Sequence, residues 1–457
     1  MATTASVRHA IGEWVNRTAL STPARLALGA FAGVILVFTM VLRFPAMTTS
    51  GESASFIDAL FTATSAVCVT GLSTVHIATF WSPLGLAVIG LAIKVGGLGI
   101  MTLASLVGLA VSRRIGLTQR ILAAGEARAT GLGDVKSLLG IIIVVSTATE
   151  LLIATILFPR FLTLDYGFWK SAGYALFYGV SSFNNCGFSP DPVGLYPYSS
   201  DLWMLVPIAL GVALGALGFP VYFNLLKAWR TPKRWTLHTK LTVVMLIVLM
   251  FTSAGLLLLF EWDNPGTLGN ETTMATIGNV FFQSVNQRSG GFSSFDIGQA
   301  TQQTWLLEDV LMFIGGGSGG TAGGIRMTTL AVLLLAIWAE ARGRRDIEAY
   351  GKRIGTEVLR LAVSVTLVSL FIVLVGTTVF MGVTGIPLDR SLYEVVSAFA
   401  TCGLSTGITG DLNTAGDITL IVLMYVGRVG SLTVVAALAL NRQRRVVRYP
   451  AERPFVG

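Results

Sequence analysis

Charged residues are scarce in this sequence. Asp, Glu, Lys and Arg make up 12% of the 457 residues, against roughly a quarter in ordinary soluble domains, and so little charge cannot cover a soluble fold of this size. Cysteine is almost absent: Cys68, Cys186 and Cys402 are an odd number, which excludes a closed disulfide framework. Histidine is limited to His9, His76 and His238, none of them beside a thiol or a paired acid. Neither a metal-ligand cluster nor a nucleophile–base arrangement is therefore present, and an enzyme reading has nothing to stand on. The thiols read as small buried apolar groups, and no cofactor is expected.

Hydrophobic residues fill the gap, at 53% of the chain. Long apolar runs lie near 25–43, 81–111, 138–159, 202–226, 241–260, 306–338, 358–382 and 418–440. Each reaches the roughly 18 residues needed to span a bilayer, so eight spans are expected. Between the spans of each pair lies a stretch too short to cross: Phe56 to Val67, Phe168 to Phe183, Met274 to Val285 and Leu392 to Ala400. Each ends at a recurring signature, Thr70-Gly71-Leu72-Ser73-Thr74, Cys186-Gly187-Phe188-Ser189-Pro190, Gly290-Gly291-Phe292-Ser293-Ser294 and Cys402-Gly403-Leu404-Ser405-Thr406. The central glycines are separated by 116, 104 and 112 residues, and ten residues before them stand Phe61, Phe177, Phe281 and Tyr393. One unit of about 110 residues is thus used four times, and the short stretches read as re-entrant helices.

Five segments, 1–25, 113–137, 227–240, 339–360 and 441–457, hold 24 of the 32 lysines and arginines. Positive residues favour the cytoplasmic side, which puts both termini there and excludes a cleaved signal peptide. The opposite loops carry Arg43, Arg160, Lys170 and Arg390 as bases beside acids such as Glu52, Asp58, Asp191, Asp296 and Asp411. That distribution suits a mouth that concentrates cations, or simply the low basicity of outer loops. Two spans per unit make the copies parallel, which favours a channel-like pore over an inverted-repeat carrier. The expected fold is an all-α membrane protein of four parallel span, re-entrant pore-helix, span repeats (eight transmembrane helices) around a central pseudo-fourfold pore. Its divisions are 1–24, a cytoplasmic segment; 25–112, 113–227, 228–338 and 339–440, the repeats; and 441–457, a cytoplasmic tail with no soluble domain attached.

The four phased loops and their preceding helices resemble the superfamily of potassium transporters that includes the bacterial Trk and Ktr systems and the plant high-affinity transporters. The likeness is greatest to the membrane subunit of the Ktr type and covers nearly the whole chain. It implies that Gly71, Gly187, Gly291 and Gly403 are selectivity glycines. A serine at the first position accompanies sodium permeation in the family, so four glycines argue for potassium. Glycine suits the place because backbone carbonyls can then approach an ion. The adjoining carbonyls are expected from Val69 and Thr70, Asn185 and Cys186, Ser289 and Gly290, and Thr401 and Cys402.

The sixth apolar run contains Gly315, Gly316, Gly317, Ser318, Gly319, Gly320, Thr321, Ala322, Gly323 and Gly324, which cannot stay a regular helix, since each interior glycine costs about 1 kcal/mol relative to alanine. It lacks the Gly-Lys-Ser/Thr ending of a phosphate loop. The resemblance implies a gating loop beneath the filter; a glycine-lined packing face is the alternative. Lys94, Arg288, Arg326 and Arg428 sit at membrane depth, where charge needs a partner or water. Arg428 matches the family position of a basic side chain below the filter. Arg288 is expected to pair with a pore-helix acid such as Glu394. Lys94 either adds to the barrier or points into an interface, and Glu150 is assigned to a salt bridge rather than to a cation.

Potassium uptake at the cell membrane, channel-like and gated, is the leading reading; a sodium- or proton-coupled carrier and a scaffold without flux are its rivals. The resemblance further implies a homodimer on a cytoplasmic ring of nucleotide-binding regulatory subunits, with Arg342 to Arg353 and Arg113 to Arg128 as docking faces, or as contacts to anionic membrane lipid. Sodium is a candidate activator, and no nucleic-acid partner is expected.

Overall fold

The computed structural model of the chain describes residues 23–113 and 135–430. The amino-terminal segment 1–22, most of the basic face at Arg113 to Arg128 and the tail 441–457 therefore lie outside the described residues.

In the first quarter α1 (Pro23–Leu42) leads to a short α2 (Phe56–Cys68) and a long α3 (Pro83–Arg113). The second holds α4 (Val135–Leu162), the short α5 (Phe168–Asn184), α6 (Leu202–Leu217) and α7 (Phe219–Ala228). The third holds α8 (Leu237–Glu261), the short α9 (Thr273–Asn286), α10 (Gln302–Ile314) and α11 (Met327–Ala341). The fourth opens with a hairpin, β1 (Ile347–Ala349) antiparallel to β2 (Lys352–Ile354), and continues as α12 (Thr356–Thr384), the short α13 (Leu388–Ala400) and α14 (Thr414–Tyr425), which runs into a π-helical turn at Val426–Gly430. The hairpin closes on Tyr350 and Gly351, both at positive φ, as a two-residue turn requires.

Stretches of α3, α4, α8 and α12 are long and apolar enough to cross a bilayer as single helices. Only 17% of the apolar stretch of α8 and 22% of that of α12 is buried. Leu259, Leu367, Phe371 and Leu374 face outward, and only hydrocarbon tolerates such a surface without cost. The short helices sit inside this layer. Ser55 opens α2 by accepting from Asp58 N (3.1 Å), and Thr272 does the same for α9 at Ala275 N (3.4 Å). Phe61, Phe177 and Tyr393 are buried as their shared phase predicts. Phe281 is not: it lies 39% exposed and edge-on to Phe251, because α9 ends five residues before its central glycine where the others end three before.

Two of the apolar runs are broken. The run at 202–226, expected as one span, bends by 99° between α6 and α7. Gly218 sits at φ +87°, and Pro220 follows in the first turn of α7, so the helix ends at a glycine and restarts at a proline. The sixth run breaks where its glycines predict, α10 stopping at Ile314 and α11 starting at Met327. The fourth short helix starts at Leu388, four residues before Leu392, because Asp389 and Arg390 extend it as a polar first turn.

Candidate functional site: four converging glycine loops

The loops after α2, α5 and α13 are built alike. Each helix ends in a left-handed residue, Val69 (φ 56°), Asn185 (φ 60°) or Thr401 (φ 49°). The next amide then turns back to the helix: Thr70 N to Ser65 O (2.7 Å), Cys186 N to Ser181 O (2.9 Å) and Cys402 N to Ser397 O (2.9 Å). The same three serines bond the loops with their side chains. Ser65 Oγ accepts from Gly71 N (2.9 Å), Ser397 Oγ accepts from Gly403 N (3.0 Å), and Ser181 Oγ donates to Phe188 O (2.8 Å). These serines were missed in the sequence, although each stands six residues before its glycine and the period alone could have found them. The third loop differs. Val285 holds the serine position, Gln287 keeps a right-handed helical conformation, and Gly290 N closes a tight turn on Asn286 O (2.6 Å).

All four central glycines take positive φ: Gly71 +101°, Gly187 +82°, Gly291 +72° and Gly403 +96°. Their neighbours are one another. A methyl group on Gly71 would strike the Cys186 carbonyl and come within 3.4 Å of Gly403 Cα; one on Gly187 would meet Gly291 Cα at 2.6 Å. One on Gly291 would run into the Cys402 carbonyl, and one on Gly403 into that of Thr70. Each loop thus touches the next in chain order and the fourth closes on the first. Val69, Thr70, Asn185, Cys186, Ser289, Thr401 and Cys402 are buried around this contact. Cys68, Cys186 and Cys402 are free and buried in or beside the loops.

Beneath the loops the segment Gly315–Gly324 packs into the break between α6 and α7. Gly317 N donates to Ala216 O (2.8 Å) and Thr321 N to Gly215 O (3.1 Å). Its upper side reaches three of the glycine loops. Gly323 N donates to Ser289 Oγ (3.1 Å), the Thr321 hydroxyl and the Asn185 amide lie 2.8 Å apart, and Thr321 Oγ1 donates to Phe183 O (3.2 Å). A side chain on Gly323 would collide with the Ala400 carbonyl and Thr401 Oγ1.

Each deep cation has a distinct setting. Arg428, 2% exposed in the π turn, donates through Nη1 to Thr321 O and lies 3.5 Å from Thr401 Oγ1, while its Nε and Nη2 have no partner among the described residues. Arg326 donates to Ala322 O and reaches Gly317 O at 3.5 Å, tying the glycine segment to itself. Arg288 does not pair with Glu394. It donates to Leu246 O (3.3 Å) and touches Met327 Sδ (4.0 Å) on the far side of its loop. Glu394 instead accepts from Ser405 Oγ (2.6 Å), Thr406 N (3.0 Å) and Thr409 Oγ1 (2.9 Å), so its capacity is filled by neutral donors of its own loop. Lys94 and Glu150 form an ion pair (2.7 Å).

Outside the spans, Asp191 accepts from Tyr178 (3.0 Å) and Tyr166 (3.3 Å) and thereby fastens the second loop. Burial pushes its carboxyl above the ordinary 3.8, against the downward pull of the two hydroxyls.

A family model described as "TrkH: Cation transport protein" matches residues 10–449. The chain is 37% identical to the Ktr system potassium uptake protein B of Bacillus subtilis over 97% of its own length and 98% of that protein's. It is 34% identical to the potassium/sodium uptake protein NtpJ of Enterococcus hirae, over 95% and 97% of the two chains. The crystal structure of the potassium transporter TrkH from Vibrio parahaemolyticus shares the fold, with a TM-score of 0.68 over 91% of this chain and 85% of that one, at 19% identity.

Proposed function

Because this chain belongs to the TrkH family of cation transport proteins, we propose that it takes up potassium across the cell membrane through a pore lined by its four glycine loops. Its class is transport, not catalysis. Val69, Thr70, Gly71, Asn185, Cys186, Gly187, Ser289, Gly290, Gly291, Thr401, Cys402 and Gly403 form the filter, which replaces the water of a potassium ion with backbone carbonyls. The observation that carries this reading is the closure of the four positive-φ glycines on one another in chain order. Gly315–Gly324, held by Arg428 from below, acts as the gate. Four parallel repeats with eight spans surround the pore, and both termini are cytoplasmic. Two copies associate and are regulated by a cytoplasmic nucleotide-binding ring that docks on the basic loops.

The test is growth at low potassium and rubidium uptake in a bacterial strain lacking its own uptake systems, with and without a regulatory subunit. The wild-type chain is expected to restore both, and Gly71→Ser to lose preference for potassium over sodium. Failure of the wild type to move rubidium in either condition refutes the assignment. The likeness to a relative named for potassium and sodium uptake supports a second reading, sodium-coupled uptake, in which rubidium entry would follow the sodium gradient at fixed potassium gradient.

A further inference from the structure

Lys94 of α3 is bound at every donor. Its Nζ donates to Glu150 Oε2 (2.7 Å), Ser146 Oγ (2.8 Å) and Thr147 Oγ1 (3.1 Å), all on α4. The other oxygen of Glu150 faces elsewhere: Oε1 accepts from Asn184 Nδ2 (2.9 Å), the last residue of α5. That same nitrogen also donates to Val180 O (2.8 Å), so the amide is fixed against its own helix. Glu150 is 3% exposed and Asn184 fully buried. The backbones close in around them, for a side chain on Gly97 would run into Asn184 Oδ1 and one on Gly179 would meet Glu150 O at 2.5 Å.

A buried ion pair gains little stability over well-packed apolar residues, because the desolvation of both charges offsets their attraction. Stability therefore does not account for this one. What an apolar pair could not do is offer a directed acceptor to Asn184. Asn184 immediately precedes the left-handed Asn185 and lies three residues before Gly187. The residues at the same place in the other loops are Cys68, Arg288 and Ala400. The cysteine and the alanine have no comparable hydrogen-bonding reach, and among the described residues Arg288 holds Leu246 O and the Met327 sulfur.

We propose that Glu150 is a positioning residue for the second glycine loop: Lys94 balances its buried charge, and its other oxygen fixes Asn184 and with it the carbonyls of Asn185 and Cys186, setting how well the pore discriminates potassium from sodium. This rests on the reading of the loops as the ion path.

Two double variants of the full chain in proteoliposomes separate the bond to Asn184 from the charges. Lys94→Met with Glu150→Gln removes both charges and keeps an acceptor for Asn184; Lys94→Met with Glu150→Leu removes the acceptor as well. The measurement is rubidium uptake against competing potassium and sodium. The glutamine variant is expected to keep the wild-type ratio of potassium to sodium competition, and the leucine variant to lose about fivefold of it, as for one net hydrogen bond. Equal ratios in the two variants would overturn the proposal. Should the leucine variant fail to reach the membrane, Asn184→Ser keeps the ion pair and removes the reach to Glu150; an unchanged ratio there overturns it equally. Absence of rubidium uptake by the wild-type chain would remove the ion path itself, and this inference with it.

Discussion

A single methyl group is the sharpest probe of the glycine loops. Gly403→Ala must place a Cβ at φ +96° against the Thr70 carbonyl, and such strain costs about 1–3 kcal/mol. The melting temperature of the purified protein should fall accordingly, whereas Gly140→Ala, with open space around its Cβ position, should leave it unchanged or slightly higher. Arg428→Ala removes a guanidinium from beneath the loops and frees Thr321 O. Uptake is expected to rise by about tenfold, the effect of roughly 1.4 kcal/mol off the barrier; unchanged flux would remove Arg428 from the gate. The four glycines were legible because they recur in phase. The left-handed Val69, Asn185 and Thr401 were not, since nothing in a valine or threonine announces a positive φ that only the ending of a helix imposes. Arg288 was misread for a related reason: spacing suggests an acid for it but cannot show that Glu394 is already filled by Ser405, Thr406 and Thr409.

At the scale of elements, one residue ties the glycine segment between α10 and α11 to four different places. Thr321 meets Gly215 by its amide, Phe183 and Asn185 by its hydroxyl and Arg428 by its carbonyl. Thr321→Val keeps the shape and deletes the hydroxyl bonds, so the segment should open more readily: amide hydrogen exchange at 315–324 is expected to quicken about tenfold, while the core of α12 does not change. The second glycine loop has its own fastening in Asp191. Its raised carboxyl holds a proton more tightly in the folded than in the unfolded chain, so that stabilisation is complete below 3.8 and is lost as pH rises through the raised value. Relative to Asp191→Asn, the wild type should lose thermal stability as pH rises above about 4, and parallel pH profiles would contradict this. The break of the sixth run could be read from its glycines, which crowd one place. The break of the fourth was signalled only by Gly218 and Pro220 and was overlooked in an otherwise apolar run; what the sequence could not show is the backbone of Ser318 and Gly320 pressed against Gly218 from another quarter of the chain.

The molecule as a whole is a multi-pass membrane protein with an apolar exterior as well as an apolar core: apolar side chains face outward on α8 and α12, while the buried serines, threonines, amides and charges gather around the short helices. That apolar exterior was visible in composition, since 53% apolar content is more than a core alone accommodates. The proposed association of two copies is tested at this scale: the mass of the protein in nanodiscs should correspond to two chains of 48.5 kDa, and a single-chain mass would refute it. The closed contact among the glycine loops has a further meaning for inheritance. In a ring of four separate identical chains every mutation is written four times, and a change harmful in one place is harmful in all. Here the ring is spelled once along a single polypeptide, so each corner has its own codons. One corner can keep an arginine behind its glycine, another an asparagine tied to a distant carboxylate, another only an alanine, and selection can adjust each without touching its neighbours.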